Sequence, residues 1–134
     1  MRKDIPDNKV ENVAVAVIRE KEKGKASFWQ VYLINYQHTA LEQVLISSKG
    51  QGTLKGVQRK SSVLRQAFGD IEPQSFVGIE ILPEELLSFS NEYLVSYWQH
   101  GKLFDKKYIF VPGSISKQLI VKVPLLDKSG IMIK

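Results

Sequence analysis

Hydrophobic and polar residues alternate with a period of two along most of this chain, so the pattern predicts strands. Residues 10–20, VENVAVAVIRE, set Val13, Val15 and Val17 on one face and Ala14, Ala16 and Ile18 on the other. Both faces are apolar, as expected of a strand covered on two sides. A charged hairpin loop over 20–27 bends at Gly24, and FWQVYLIN, residues 28–35, follows with strong β-branched and aromatic content. A third strand is expected over 43–49. SSVLRQAFG, residues 61–69, reads as one or two helical turns with Ser61 or Ser62 as cap and Gly69 as stop. Residues 74–82 alternate again, with Phe76, Gly78 and Glu80 on one face and Val77, Ile79 and Ile81 on the other. Pro83 and two acids suggest a brief turn.

The clearest hairpin lies later. Around the turn QHGK, Leu94, Ser96 and Trp98 point away from Tyr93, Val95 and Tyr97, and Gly101 supplies the positive φ of a tight turn. A further strand over 117–126 should lie at or end on a sheet edge at Pro124, and the closing SGIMIK should be docked. Seven to eight strands with regular turn signals, and at most one or two short helical turns, predict an all-β antiparallel sandwich. One domain should span 1–134, with residues 1–9 flexible.

The order of segments resembles an immunoglobulin-like sandwich over about residues 10–111. WQVYLINYQHTALEQVLISS is similar to its strand–asparagine–loop–strand, LRQAFGDIEPQSFVGIEIL to the connection that follows, and EYLVSYWQHGKLFDKKYIF to its last hairpin. Tyr93 stands where a tyrosine corner would form, although the cysteine pair of that fold is missing. Such a resemblance implies a fold and carries no activity. VLISSKG, FVGIEI, GKLFDKKYIFVP and the closing GIMIK also resemble a small bacterial family without an assigned activity. Some of its members carry the label phenylalanyl-tRNA synthetase alpha subunit. The core of such a class II synthetase needs hundreds of residues, a strand arginine for ATP phosphate and a glycine-rich strand ending in Glu-Arg. The 134 residues hold none of these, so no catalytic residue carries over.

Composition narrows the function classes. Hydrophobic residues make up 43% and charged residues 25%, which excludes a largely disordered chain. The absence of cysteine excludes disulfides, thiolate nucleophiles and zinc–thiolate sites. A charged start and no long apolar run lead to the expectation of a soluble, cytoplasmic protein without membrane contact. The net charge of +5 suits solubility or an anionic partner.

The charge is concentrated. SSKGQGTLKGVQRKSS, residues 47–62, has three glycines, four basic residues and no acid. It matches neither the Walker loop nor the dinucleotide fingerprint in glycine spacing, so Gly50 and Gly52 are read as the bend of a hairpin. Lys49, Lys55, Arg59, Lys60 and Arg65 fall in an acid-free interval, and Lys102, Lys106 and Lys107 form a second basic group. Each is either a solvated rim or part of a polyanion surface, and a shared face for both groups would favour the latter. Among the aromatics, Tyr97 and Trp98 are adjacent and point to opposite faces, so one of them can be exposed. His38 and His100 lie in turns without metal-ligand spacing, and no nucleophile elbow occurs. No catalytic residue, metal or cofactor is therefore assigned.

The expected function is a non-catalytic interaction module acting through loops or an edge strand, on a protein or anionic partner. Edge strands, above all the C-terminal ones, would allow a homodimer. The alternative is a sequence-tolerant nucleic-acid binder using the basic residues of 49–65 and an exposed aromatic.

Overall fold

A computed structural model describes residues 9–60 and 63–134. Among them, ten strands form two antiparallel sheets stacked as a sandwich. The strands are β1 (Val13–Glu20), β2 (Phe28–Asn35), β3 (Leu41–Leu54), β4 (Val57–Lys60), β5 (Leu64–Ile71), β6 (Ser75–Leu82), β7 (Ser90–Gln99), β8 (Lys102–Phe110), β9 (Val121–Val123) and β10 (Lys128–Ile133). The all-β class holds, with ten strands in place of seven to eight. Two single 3-10 turns, Glu84–Leu86 and Lys117–Leu119, are the helical content among the described residues.

The first sheet has the order β6-β2-β1-β10-β9. The second runs β4-β3-β7-β8, with β5 also on β3. Gln51 pairs with both Lys60 and Ser90, and Ser47 with both Arg65 and Leu94. Strands β4 and β5 therefore follow one another along one edge of β3, and β7 takes the other.

The alternating pattern explains the core. Val13, Val15, Val17, Trp29, Val31 and Leu33 point from the first sheet against Ile46, Tyr93, Val95, Tyr97, Tyr108 and Phe110 of the second. The Tyr108 hydroxyl crosses between the sheets and donates to the Val13 carbonyl at 2.7 Å. Strand β1 is covered on both faces, as its pattern predicted. Ala16 and Ile18 join Ile34, Val123 and Leu126 in a second cluster on the outer side, held down where Tyr36 donates to the Pro124 carbonyl at 2.8 Å.

Three sequence expectations are corrected. Gly50 and Gly52 do not bend a hairpin but lie inside the long β3. The turn is made by Lys55 and Gly56, with φ of 52° and 76°, the left-handed pair a two-residue hairpin requires. The segment expected as helical turns is the strand β5, because its side chains pair across β3. The cap positions Ser61 and Ser62, like residues 1–8 of the expected flexible start, lie outside the described residues. Finally, the strand expected over 117–126 is shortened to β9, which lies at the sheet edge and ends at Pro124 as expected; a 3-10 turn precedes it and a tight turn follows. The docked tail is β10, an interior strand between β1 and β9. Among the described residues no helix is long and apolar enough to cross a membrane.

Candidate functional site

The outer face of the second sheet gathers what the sequence left scattered. Strand alternation on β7 buries Tyr93, Val95 and Tyr97 and turns Leu94, Ser96 and Trp98 outward. Trp98 is 40% exposed and Leu45, on the neighbouring β3, 57%. Of the adjacent pair, Tyr97 is the buried member and stacks on Phe104, with ring centroids 5.3 Å apart. Cross-strand register sets Trp98 beside Leu103, Ser96 beside Leu45 and Asp105, and Leu94 beside Ser47 and Lys107. An apolar band of Leu94, Leu45, Trp98 and Leu103 thus crosses the sheet. A shallow trough of about 280 Å³ lies between Trp98, Leu45 and Ala67.

The two basic groups meet on this face only in part. Lys49 from β3 and Lys107 from β8 both reach the Glu92 carboxylate on β7, at 3.5 and 3.9 Å. Arg65 stands across from Ser47 on β5, and Lys60 across from Gln51 on β4. These four cluster toward the start of β7. Lys55 occupies the β3–β4 turn, Arg59 pairs with Gly52 on the opposite parity, and Lys102 begins β8 beside the His100–Gly101 turn. Lys106 has the inward parity of β8, half-buried, with its ammonium 5.1 Å from the Tyr108 ring centre. The acids Asp105 and Glu42 stand toward the other end of the face, in register with Ser96 and Trp98. The face is polarised, with one end basic and the other acidic.

A second feature was missed by the alternation. The pairing of β6 with β2 slips between Val31 and Tyr32, so that Ile79 is an extra residue opposite Val31–Tyr32. A β-bulge of this kind re-aims the side chains beyond it. Ile79 and Leu82 are both buried, Ile81 is 59% exposed, and Glu80 turns in toward the second sheet. The predicted facing of Ile81 and Glu80 is therefore reversed. The Gln30 amide secures the bulge by donating to the carbonyls of Glu80 at 2.9 Å and Val31 at 3.2 Å.

Tyr93 donates its hydroxyl to Glu80 Oε2 at 2.8 Å, and Ser48 donates to Oε1 at 3.5 Å. Tyr93 therefore bonds a carboxylate, where a tyrosine corner would bond backbone. Burial, and behind it the Glu80 charge, push the Tyr93 phenol well above its usual range, so it remains a donor. Any signal in the sequence lay in Gly78, since a glycine inside a strand pattern marks a bulge or close approach.

His38 lies in the bend after β2 and His100 at the β7–β8 turn, both exposed. Among the described residues no three histidine, aspartate or glutamate side chains gather as a metal site. No family model matches the chain, and neither a curated protein nor a solved structure matches it.

Proposed function

We propose that this chain is a non-catalytic interaction module of immunoglobulin-like type, and that its contact surface is the outer face of the β8-β7-β3-β5 sheet. The strand order supports the fold part of this reading. β1, β2 and β6 stand side by side as strands A, B and E do in that fold, and β3, β7 and β8 as C, F and G. The β9–β10 hairpin is an addition on the far side of β1.

The observation that carries the proposal is the exposed apolar band of Leu94, Leu45, Trp98 and Leu103. Single exposed hydrophobics are ordinary, but a row of neighbouring ones that includes a tryptophan marks a docking surface. The charge pattern argues for a second copy as the partner. Under a twofold axis through the middle of the face, the basic end of one copy meets the acidic end of the other. Lys49, Lys107 and Arg65 then approach Asp105 and Glu42, while the apolar bands cross.

Light scattering and sedimentation over a range of concentrations test this. A dimer is expected, with Trp98→Asp and Leu45→Asp monomeric at unchanged circular dichroism. A wild-type chain that stays monomeric at every concentration overturns it. The nucleic-acid reading keeps one supporting observation, the approach of Lys49 and Lys107 on a single face. It requires binding of single-stranded RNA that falls with salt and with Trp98→Ala. Such binding by a monomeric chain would replace the dimer as the conclusion.

A further inference from the structure

A cleft of about 350 Å³ opens where the edge strand β6 passes β3 and the start of β7, on the inward side of β3. Leu64, Ile81, Pro83 and Leu86 give it apolar walls, and Glu80, Ser48 and Tyr93 converge in it. This is the composition of a small-molecule site: mostly apolar lining with a few placed polar groups, at the lower end of the usual size range.

Among the described residues, no lysine or arginine pairs with Glu80. Lys49, which also borders the cleft, has its ammonium on Glu92. A carboxylate drawn in from water between two sheets is costly unless something offsets its charge, and two hydroxyl donors offset it only in part. The fold accepts that cost through a bulge that turns Glu80 inward when ordinary alternation would have left it facing out. Tyr93 and Ser48 retain oxygen lone pairs after donating to Glu80. Three oxygen groups from three strands thus converge on one end of an otherwise apolar space. Their number matches the three donors of a primary ammonium.

We propose that this cleft binds a primary ammonium group carried on an apolar stem, with Glu80 as its counter-ion, Ser48 and Tyr93 as further acceptors, and Leu64, Ile81 and Leu86 around the stem. A free alkylamine and a lysine side chain on an extended peptide share this chemistry. The two sources differ in whether backbone beside the unpaired edge of β6 is also engaged.

The test uses the full chain and amide NMR shifts, with n-pentylamine, n-pentanol and an acetylated, amidated peptide with a single central lysine as probes. Saturable shifts at residues around Glu80, Ser48 and Tyr93 are expected with n-pentylamine and not with n-pentanol. Tighter binding of the peptide, with shifts spreading along β6, would identify the lysine source; equal or weaker binding would identify the free amine. Glu80→Gln should weaken the amine by about tenfold or more, the loss of a charge-assisted hydrogen bond, while its spectrum reports that the fold is intact. Equal response to amine and alcohol in the wild-type chain, or no saturable shift at the cleft, overturns the proposal. Neither outcome bears on the outer face, because Ser48 and Tyr93 lie on the inward side of β3 and β7, whose outward residues form that surface, and Glu80 lies on the other sheet.

Discussion

A Cβ built on Gly130 would collide with the Val17 carbonyl oxygen and stand 2.9 Å from the Ile18 Cα. Gly130 pairs with Ile18 on β1 and Val121 on β9, so both neighbouring strands limit the backbone shift that would relieve the clash. Gly130→Ala should therefore destabilise the fold by about 3 kcal/mol, the upper part of the usual cost of overpacking. The urea midpoint measures this, and an unchanged midpoint would contradict the close approach. Residues such as Gly130 and Glu80 are where the chain's pattern is least informative. Alternation along β6 assigned Glu80 to the wrong face because one extra residue inverts the parity of everything after it. That residue, Ile79, looks like any other strand residue. By contrast, that Tyr97 and Trp98 point to opposite faces followed from period two alone once the strand was given; which of the two is buried needed the tertiary structure.

At the level of elements, the hairpin β7–β8 was legible because Gly101 interrupts an otherwise clean alternation. The helical reading of residues 61–69 was not sustained, since β5 is fixed by its ladder to β3 and its local composition is neutral. A strand at a sheet edge, mostly exposed on both parities, carries little period-two signal. The C-terminal segment shows the same limit. Its apolar residues announced docking, but a place between β1 and β9 depends on register over more than a hundred residues. Strand β10 satisfies the free edge of β1 from Val15 to Ile18, and the β9–β10 turn lays Leu126 over Ala16 and Ile18. Removing residues 128–134 would open a hydrogen-bonding edge beside a bare apolar cluster. The truncated chain is expected to be insoluble or largely unfolded by circular dichroism. Recovery as a soluble protein of full stability would show that β10 is an accessory.

For the molecule as a whole, packing covers all five tyrosines, Tyr93, Tyr97 and Tyr108 between the sheets and Tyr32 and Tyr36 beside the outer cluster, so their acid–base behaviour becomes a readout of packing. Every one of the five tyrosines has its pKa raised, with burial as the leading cause in each. Tyr32 is pushed up to about 12, by burial and then by its hydrogen bond to Glu20. In the unfolded chain these phenols ionise near 10.0, the ordinary value for tyrosine. A raised folded-state value means that the fold holds protons which the unfolded chain has already released. Stability from this source is complete below pH 10, and it declines as pH rises through the folded-state values, across the window from about 10 to about 12 for Tyr32. Phenolate absorbance and far-UV circular dichroism followed together should therefore show delayed ionisation that coincides with loss of strand signal. Tyr32→Phe should make the decline shallower in that window. If phenolate forms fully near pH 10 while the strand signal stays constant, Tyr93, Tyr97 and Tyr108 are not enclosed between packed layers, and the inward cleft at Tyr93 and the outward face at Trp98 lose their common frame. The two sites depend on the same division, because β3 and β7 contribute one parity to each. A measurement that establishes which parity is dry therefore bears on both surfaces at once.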